Sequence, residues 1–257
     1  MNSLLLKVII TPALIGTASL IGRRWGHSIS GWIIALPLTT GPITFFLALT
    51  HSPSFAAMSA TGTVAGGFSQ AAFALAYARL ALRWKWPGAL AAACLSFAII
   101  TAILNQFTFS LLPLYAAVLL SFLVALRLLP KESKSEPVED SLPSHWDIPM
   151  RMVVATVFVV LLTGIASNLG AQLTGLIAPF PIFTATLAAF AHRNHGSTAA
   201  VSVLRGLLMG LFSFASFFFT VAVLIESAGI TVAFTAAILV ALSLQGISLW
   251  LLQRRAN

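Results

Sequence analysis

Stretches of about twenty apolar residues follow one another along the whole chain, separated by short clusters of Pro, Gly and polar residues. A helix needs roughly that length to cross a bilayer. Cutting at the clusters gives nine candidate spans: 3–22, 29–50, 55–82, 88–104, 109–129, 148–168, 172–191, 198–225 and 230–252. The third and eighth exceed one bilayer thickness and require tilt or a protruding end. Only 8% of the 257 residues are charged, against about 25% in a soluble domain. The expected fold is an all-α integral membrane protein with about nine transmembrane helices.

The charges are placed as a membrane would place them. Five of the six acidic residues, Glu132, Glu136, Glu139, Asp140 and Asp147, fall in the one hydrophilic segment, 130–147, which reads as a linker between two halves; only Glu226 lies elsewhere. With the amino terminus outside, the inside connections contain Arg23 and Arg24, Arg83 and Lys85, Lys131 and Lys134, and Arg193, and the inside tail has Arg254 and Arg255. The outside connections, near 51–54, 105–108, 169–171 and 226–229, contain no Lys or Arg, as the positive-inside rule requires. Lys7 is the single exception. A net charge of +8 scattered in this way orients a chain in a bilayer and excludes a nucleic-acid partner. The first segment, with Lys7 inside it and Arg23 and Arg24 after it, has the reverse of a secretory signal's charge pattern and reads as a retained helix.

An internal repeat organises the rest. Slid by 144 residues, SGWIIALPLTTGPITFFLALTHS (30–52) lies over TGLIAPFPIFTATLAAFAHRNHG (174–196). Without a gap, 15 of the 53 pairs from 21 to 73 are identical, about 28%, where so biased a composition gives on the order of 10% by chance. The identities include Gly31/Gly175, Pro37/Pro181, Thr40/Thr184, His51/His195, Gly62/Gly206, Gly66/Gly210 and Ser69/Ser213. Five spans separate each pair of equivalent helices, and five is odd, so the halves face opposite ways. The expected organisation is 1–104 as a first four-helix repeat, 105–147 as a connecting helix and cytoplasmic linker, and 148–257 as a second, inverted repeat. That orientation depends on 88–129 forming two helices.

The repeat gives the prolines a purpose. Proline lacks an N–H and clashes with the carbonyl one turn back, so Pro37 and Pro42, and likewise Pro179 and Pro181, are expected to unwind or kink equivalent helices at equivalent depths. Interrupted helices in corresponding positions of two halves mark a transport site near the midplane. Thr39, Thr40, Thr184 and Thr186 add hydroxyls there, and Gly41 adjoins them. The plainer reading is that Pro kinks help membrane helices pack and that Thr bonds back to its own backbone.

Other residues carry two readings each. Gly62 and Gly66, with Gly206 and Gly210, have the spacing that lets helices approach closely; Ser69 and Ser213 either line a pathway or join an interhelical contact. His51 and His195 fall on opposite faces, as structural or interfacial residues or as proton sensors at the two mouths. His192 and His195 lack a carboxylate or Cys nearby, so no metal site is expected. Lys7, Arg151 and Arg205 either snorkel to headgroups or attract an anionic solute or lipid phosphate. No acidic residue is available inside the spans, which argues against a proton-coupled cation exporter. Cys94 is the only cysteine, which leaves no internal disulfide. No G-x-S-x-G, P-loop, H-E-x-x-H or Cys cluster is present, so no enzymatic activity and no cofactor are expected.

The stretch LTGLIAPFPIFTATLAAFAHRNHG (173–196), a Gly followed by a Pro-interrupted apolar helix and a polar turn, resembles the small four-helix bacterial membrane proteins of the GlpM type, over about 100 residues of the second half. The first half departs from that pattern, with LPLTTGP in place of PFPIFTA. The resemblance implies a fused, tandem version of such a protein, residence in the bacterial inner membrane, and a link to envelope polysaccharide production. Together these readings lead to the expectation of a secondary transporter for a small neutral or anionic solute or a lipid-linked precursor, possible as a homodimer in the bilayer. Its rival is a non-transporting scaffold for an envelope-synthesis enzyme.

Overall fold

Proline and glycine punctuate the chain, and the helices fall between them. A computed structural model describes residues 39–130 and 147–256, with Leu5, residues 8–13, Gly16 and Pro37 ahead of them. Every regular element in these residues is an α-helix. Most of the expected span 3–22, the repeat pairs of 21–36, the linker charges of 131–146, Lys7 and the Arg151 side chain lie outside what is described.

Helix α1 is short, Thr40–Thr50. Ser52 then caps α2 (Pro53–Leu80), its Oγ accepting the Phe55 N–H at 3.1 Å, with Pro53 in the first turn where no N–H is missed. The region on which the inverted orientation depends forms two helices, α3 (Trp86–Leu104) and α4 (Leu111–Leu128). Helix α5 (Asp147–Leu169) is followed by the broken pair α6 (Ala171–Ile177) and α7 (Ile182–His195). The final element, α8 (Ser197–Ala256), is continuous in name only: Gly229 sits at φ 79°, a left-handed conformation glycine adopts without strain. Because Ser213 Oγ donates to the Ala241 carbonyl at 2.8 Å, the arms on either side of Gly229 fold back as a hairpin, where spans 198–225 and 230–252 were expected.

Five stretches among the described residues are long and apolar enough to cross a membrane: Trp86–Leu104, Leu111–Leu128, Met152–Leu169, Ala171–His195 and Ser197–Ile247. On α3, α4 and α5 large apolar side chains point outward at helical spacing, including Leu95, Ile99 and Ile103, Leu120 and Leu123, and Val153, Val157 and Leu161. A soluble protein does not present such a surface; this is an all-α, multi-pass membrane protein. Helix α2 is the exception among the long helices, because Gly, Ser, Thr and Gln depress its hydropathy. It is packed by α3, α4, α6 and α8, with Val64, Phe73 and Tyr77 fully buried.

Contacts gather the turns at two ends of the bundle. At one end Gln172 Nε2 donates to the Phe107 carbonyl at 2.8 Å, joining the start of α6 to the α3–α4 turn. Phe55 and Leu169 share a cluster there. At the other end Arg79 Nη2 donates to the Leu128 carbonyl (3.0 Å), the last of α4, and Arg205 Nη2 to the Pro130 carbonyl just beyond it (2.9 Å). Ser69 and Ser213 serve interhelical contacts. Ser69 Oγ lies 2.9 Å from Thr101 Oγ1, and Ser213 Oγ lies 3.2 Å from Gln245 Oε1; both the serines and their partners are 144 positions apart.

Candidate functional site

Where α6 gives way to α7, Ala178 to Pro181 interrupt the helix, and the backbone must find other partners. Proline at 179 and 181 removes two N–H groups, and the Ile182 N–H turns back to the Phe180 carbonyl at 2.8 Å. The carbonyls released by the break are met by side chains of the first half. Thr40 Oγ1 donates to the Ala178 carbonyl at 3.2 Å, and Gln70 Nε2 to the Pro179 carbonyl at 2.7 Å. Non-helical backbone at membrane depth survives only with satisfaction of this kind.

Beside the break lies a cavity of about 60 Å³, room for a few water molecules or a small solute. Its walls include Pro37 and Pro181, Thr40 and Thr184, and Gln70 and Phe214. Each pair is separated by 144 positions, and only the last differs in residue type. Thr39 and Pro179 also line it. The amino-terminal turns of both α1 and α7 reach this wall, and neither helix has a side-chain cap. The amino terminus of a helix is the positive end of its dipole. In α1 the Gly41 and Ile43 N–H groups donate to the Pro37 and Thr39 carbonyls and Pro42 has no N–H; in α7 the Ile182 and Ala185 N–H groups donate to the Phe180 and Pro181 carbonyls. The dipole, rather than a set of free donors, therefore faces the wall. Among the described residues no ionisable side chain lines the cavity, and its polar groups are hydroxyls, an amide and backbone.

Six of the nine residues expected to bind substrate, Pro37, Thr39, Thr40, Pro179, Pro181 and Thr184, meet in this cavity, and Gly41, Pro42 and Thr186 do not line it. Pro42 lies within the first turn of α1, where a missing N–H costs nothing, and it interrupts no helix. The Thr186 hydroxyl donates to the Ile182 carbonyl at 2.9 Å on an exposed face, the back-bonding of the plainer reading.

His51 and His195 are exposed at the carboxy-terminal ends of α1 and α7. His51 Nδ1 lies 2.9 Å from Thr50 Oγ1, and its ring stacks on Phe55 with centroids 4.4 Å apart, a structural engagement. Among the described residues no cluster of three His, Cys, Asp or Glu could hold a metal. Arg205 engages Pro130 and does not line the cavity.

Gln70 is the residue that pattern reading passed over. It is 4% exposed, and with its Nε2 committed to Pro179, its Oε1 is buried without a partner. A lone amide in a helix of small and apolar residues was the available signal, since polar groups inside a membrane bundle are costly and mark function.

The glycine spacing resolves unequally. A Cβ on Gly62 would strike the Gln172 carbonyl, one on Gly175 the Ser59 carbonyl, and one on Gly66 the Pro179 ring; one on Gly206 would meet nothing within 4 Å. No family model, curated protein or solved structure matches the chain.

Proposed function

We propose that this protein is a secondary transporter of the bacterial inner membrane, moving a small neutral or anionic solute, or the polar part of a lipid-linked precursor, by alternating access around the cavity between the two broken helices. The observation that carries the reading is the cavity wall itself: proline and threonine pairs 144 positions apart converge on one space that, among the described residues, carries hydroxyls and an amide and no ionisable side chain. Two helix amino termini reach it, the arrangement by which discontinuous helices receive an anionic or polar group. The matched Ser69–Thr101 and Ser213–Gln245 contacts support two structurally equivalent halves. The two helices of 88–129 and the basic residues at one end support their inversion, with the amino terminus outside and residues 79–85 cytoplasmic.

The test is a stability screen in detergent over small neutral and anionic solutes. A ligand at 100 times its Kd raises stability by about 2.7 kcal/mol, so a substrate should raise Tm in the parent protein and not in the Thr40→Val, Thr184→Val double variant. The same solute should then be taken up by proteoliposomes of the parent and not of the variant. Equal Tm shifts and equal uptake in both proteins would remove the assignment.

The small volume of the cavity favours a second reading, a membrane scaffold with no solute path. Single cysteines at Thr40 and Thr184, in a Cys94→Ser background, separate the two: a scaffold protects both from aqueous thiol reagents applied from either side.

A further inference from the structure

Buried polar atoms without a hydrogen-bond partner are rare in folded proteins and ask for water or a ligand. Three of them fall along one line. Gln70 Oε1, Tyr77 Oη and His192 Nδ1 are all buried and unpartnered. Gln70 lines the cavity. Tyr77 lies seven residues on, two turns along the same face of α2 and roughly 10 Å nearer its carboxy terminus. The His192 ring of α7 meets the Tyr77 ring there, with centroids 6.0 Å apart.

Between these points the wall is aromatic. Phe73, one turn beyond Gln70, is fully buried with its ring 6.4 Å from that of Phe180, which Phe97 contacts edge-on at 5.2 Å. The backbones of α2 and α7 stay apart along this seam, which side chains fill, whereas α2 and α6 are closely packed. Toward the opposite end from the cavity, α2 meets α6 backbone to backbone, and Thr63 Oγ1 donates to the Gly175 carbonyl at 3.1 Å.

We infer that the α2–α7 seam is the route between the cavity and the end of the bundle that carries Arg83 and Lys85, closed in this structure by Tyr77 against His192 and by Phe180 against Phe73. Rotation of aromatic rings opens this route, while opening the opposite one requires two helices to separate. The unpartnered atoms along it include an acceptor, a hydroxyl and an imidazole nitrogen, and these suit water and a neutral solute that both donates and accepts hydrogen bonds. The inference rests on the cavity being the transport site.

The test uses the full-length chain with Cys94→Ser and Thr184→Cys, in membrane vesicles of both orientations, with a membrane-impermeant methanethiosulfonate. Lys85→Cys identifies which vesicle face is the basic one. The reporter should react from that face; Tyr77→Ala or His192→Ala should each raise the rate at least tenfold from that face alone. Tyr77→Phe, which keeps the ring, should stay within twofold of the parent. His192, only half-buried, provides a variant that folds even if loss of the Tyr77 ring does not. Faster reaction from the opposite face, or an unchanged rate in the ring-removing variants, overturns the route and leaves the cavity as a solute site. A reporter that stays unreactive from both faces in every variant removes the transport proposal and the route together.

Discussion

Helix α2 has two seams of opposite construction. Toward α6 it offers Ser59, Gly62, Thr63 and Gly66, and the partner backbone comes so close that no Cβ fits at Gly62 or Gly175. Toward the break and α7 it offers Gln70 and Phe73, which meet Pro179 and Phe180 of the break, and Tyr77, which meets His192 of α7, so the space is spanned by rings and an amide. In a bilayer, where lipid tails are as apolar as side chains, close backbone approach is a principal source of helix association. A seam made of backbone holds position; a seam made of rotatable side chains can change. The first therefore reads as the hinge or anchor of the bundle and the second as its moving part.

The largest effect expected from breaking this comparison is on the glycine side. Gly175→Ala puts a methyl against the Ser59 carbonyl. Overpacking of this kind costs about 1–3 kcal/mol, and here the obstacle is backbone, which cannot turn aside, so the upper end applies. Gly206→Ala is the control: its new methyl has open space, and alanine in a helix gains about 1 kcal/mol over glycine. Unfolding in mixed micelles should show the two variants moving in opposite directions. Equal losses at both positions would mean that the seam is not where the bundle is rigid.

On the aromatic side the expected effect is functional. Gln70→Leu removes a buried unpartnered oxygen but leaves the Pro179 carbonyl without its donor, and an unsatisfied buried carbonyl costs about 1–3 kcal/mol. Stability should fall by about 1–3 kcal/mol. Uptake of the solute identified by Tm should fall about tenfold, equivalent to roughly 1.4 kcal/mol. A loss of stability without a loss of uptake would make Gln70 a strut for the broken helix and nothing more.

These two seams also mark how far the sequence could be read. The break at Pro179 to Pro181 was legible because proline acts on its own backbone, whatever surrounds it. The two-helix reading of 88–129 was legible because length and hydropathy are local. Gln70 was not found through the repeat, since its counterpart is Phe214, and pairing residues by type hides the position where the halves differ. Gly62 and Gly206 are the same residue in the same repeat register, yet one is pressed against a neighbour and the other is not. Spacing along a helix states what a face permits, while tertiary contact decides whether that permission is used. Pro42 and Thr186 failed to reach the cavity for a related reason: composition placed them in the right segment, and helical phase turned them elsewhere.

The smallest effect tests whether the two halves are equivalent away from the cavity, where no function obscures the comparison. Ser69 bonds to Thr101 and Ser213 to Gln245 across the hairpins of their respective halves. Interhelical hydrogen bonds in membrane proteins average about 0.6 kcal/mol in double-mutant cycles, and that value is expected for Ser69 with Thr101→Val. The single Ser213 hydroxyl proton is shared between the Ala241 carbonyl at 2.8 Å and Gln245 Oε1 at 3.2 Å, so Ser213→Ala should cost at least as much as Ser69→Ala, while its coupling to Gln245, measured with Gln245→Leu, should be no more than about the same 0.6 kcal/mol. Similar couplings in the two cycles would show that each half keeps its own hairpin by the same contact, and that the difference between the glycine and aromatic seams was built onto a common unit. A coupling at Ser69 with none at Ser213 would locate the asymmetry in the hairpins themselves and remove the hydrogen-bond support for a repeat.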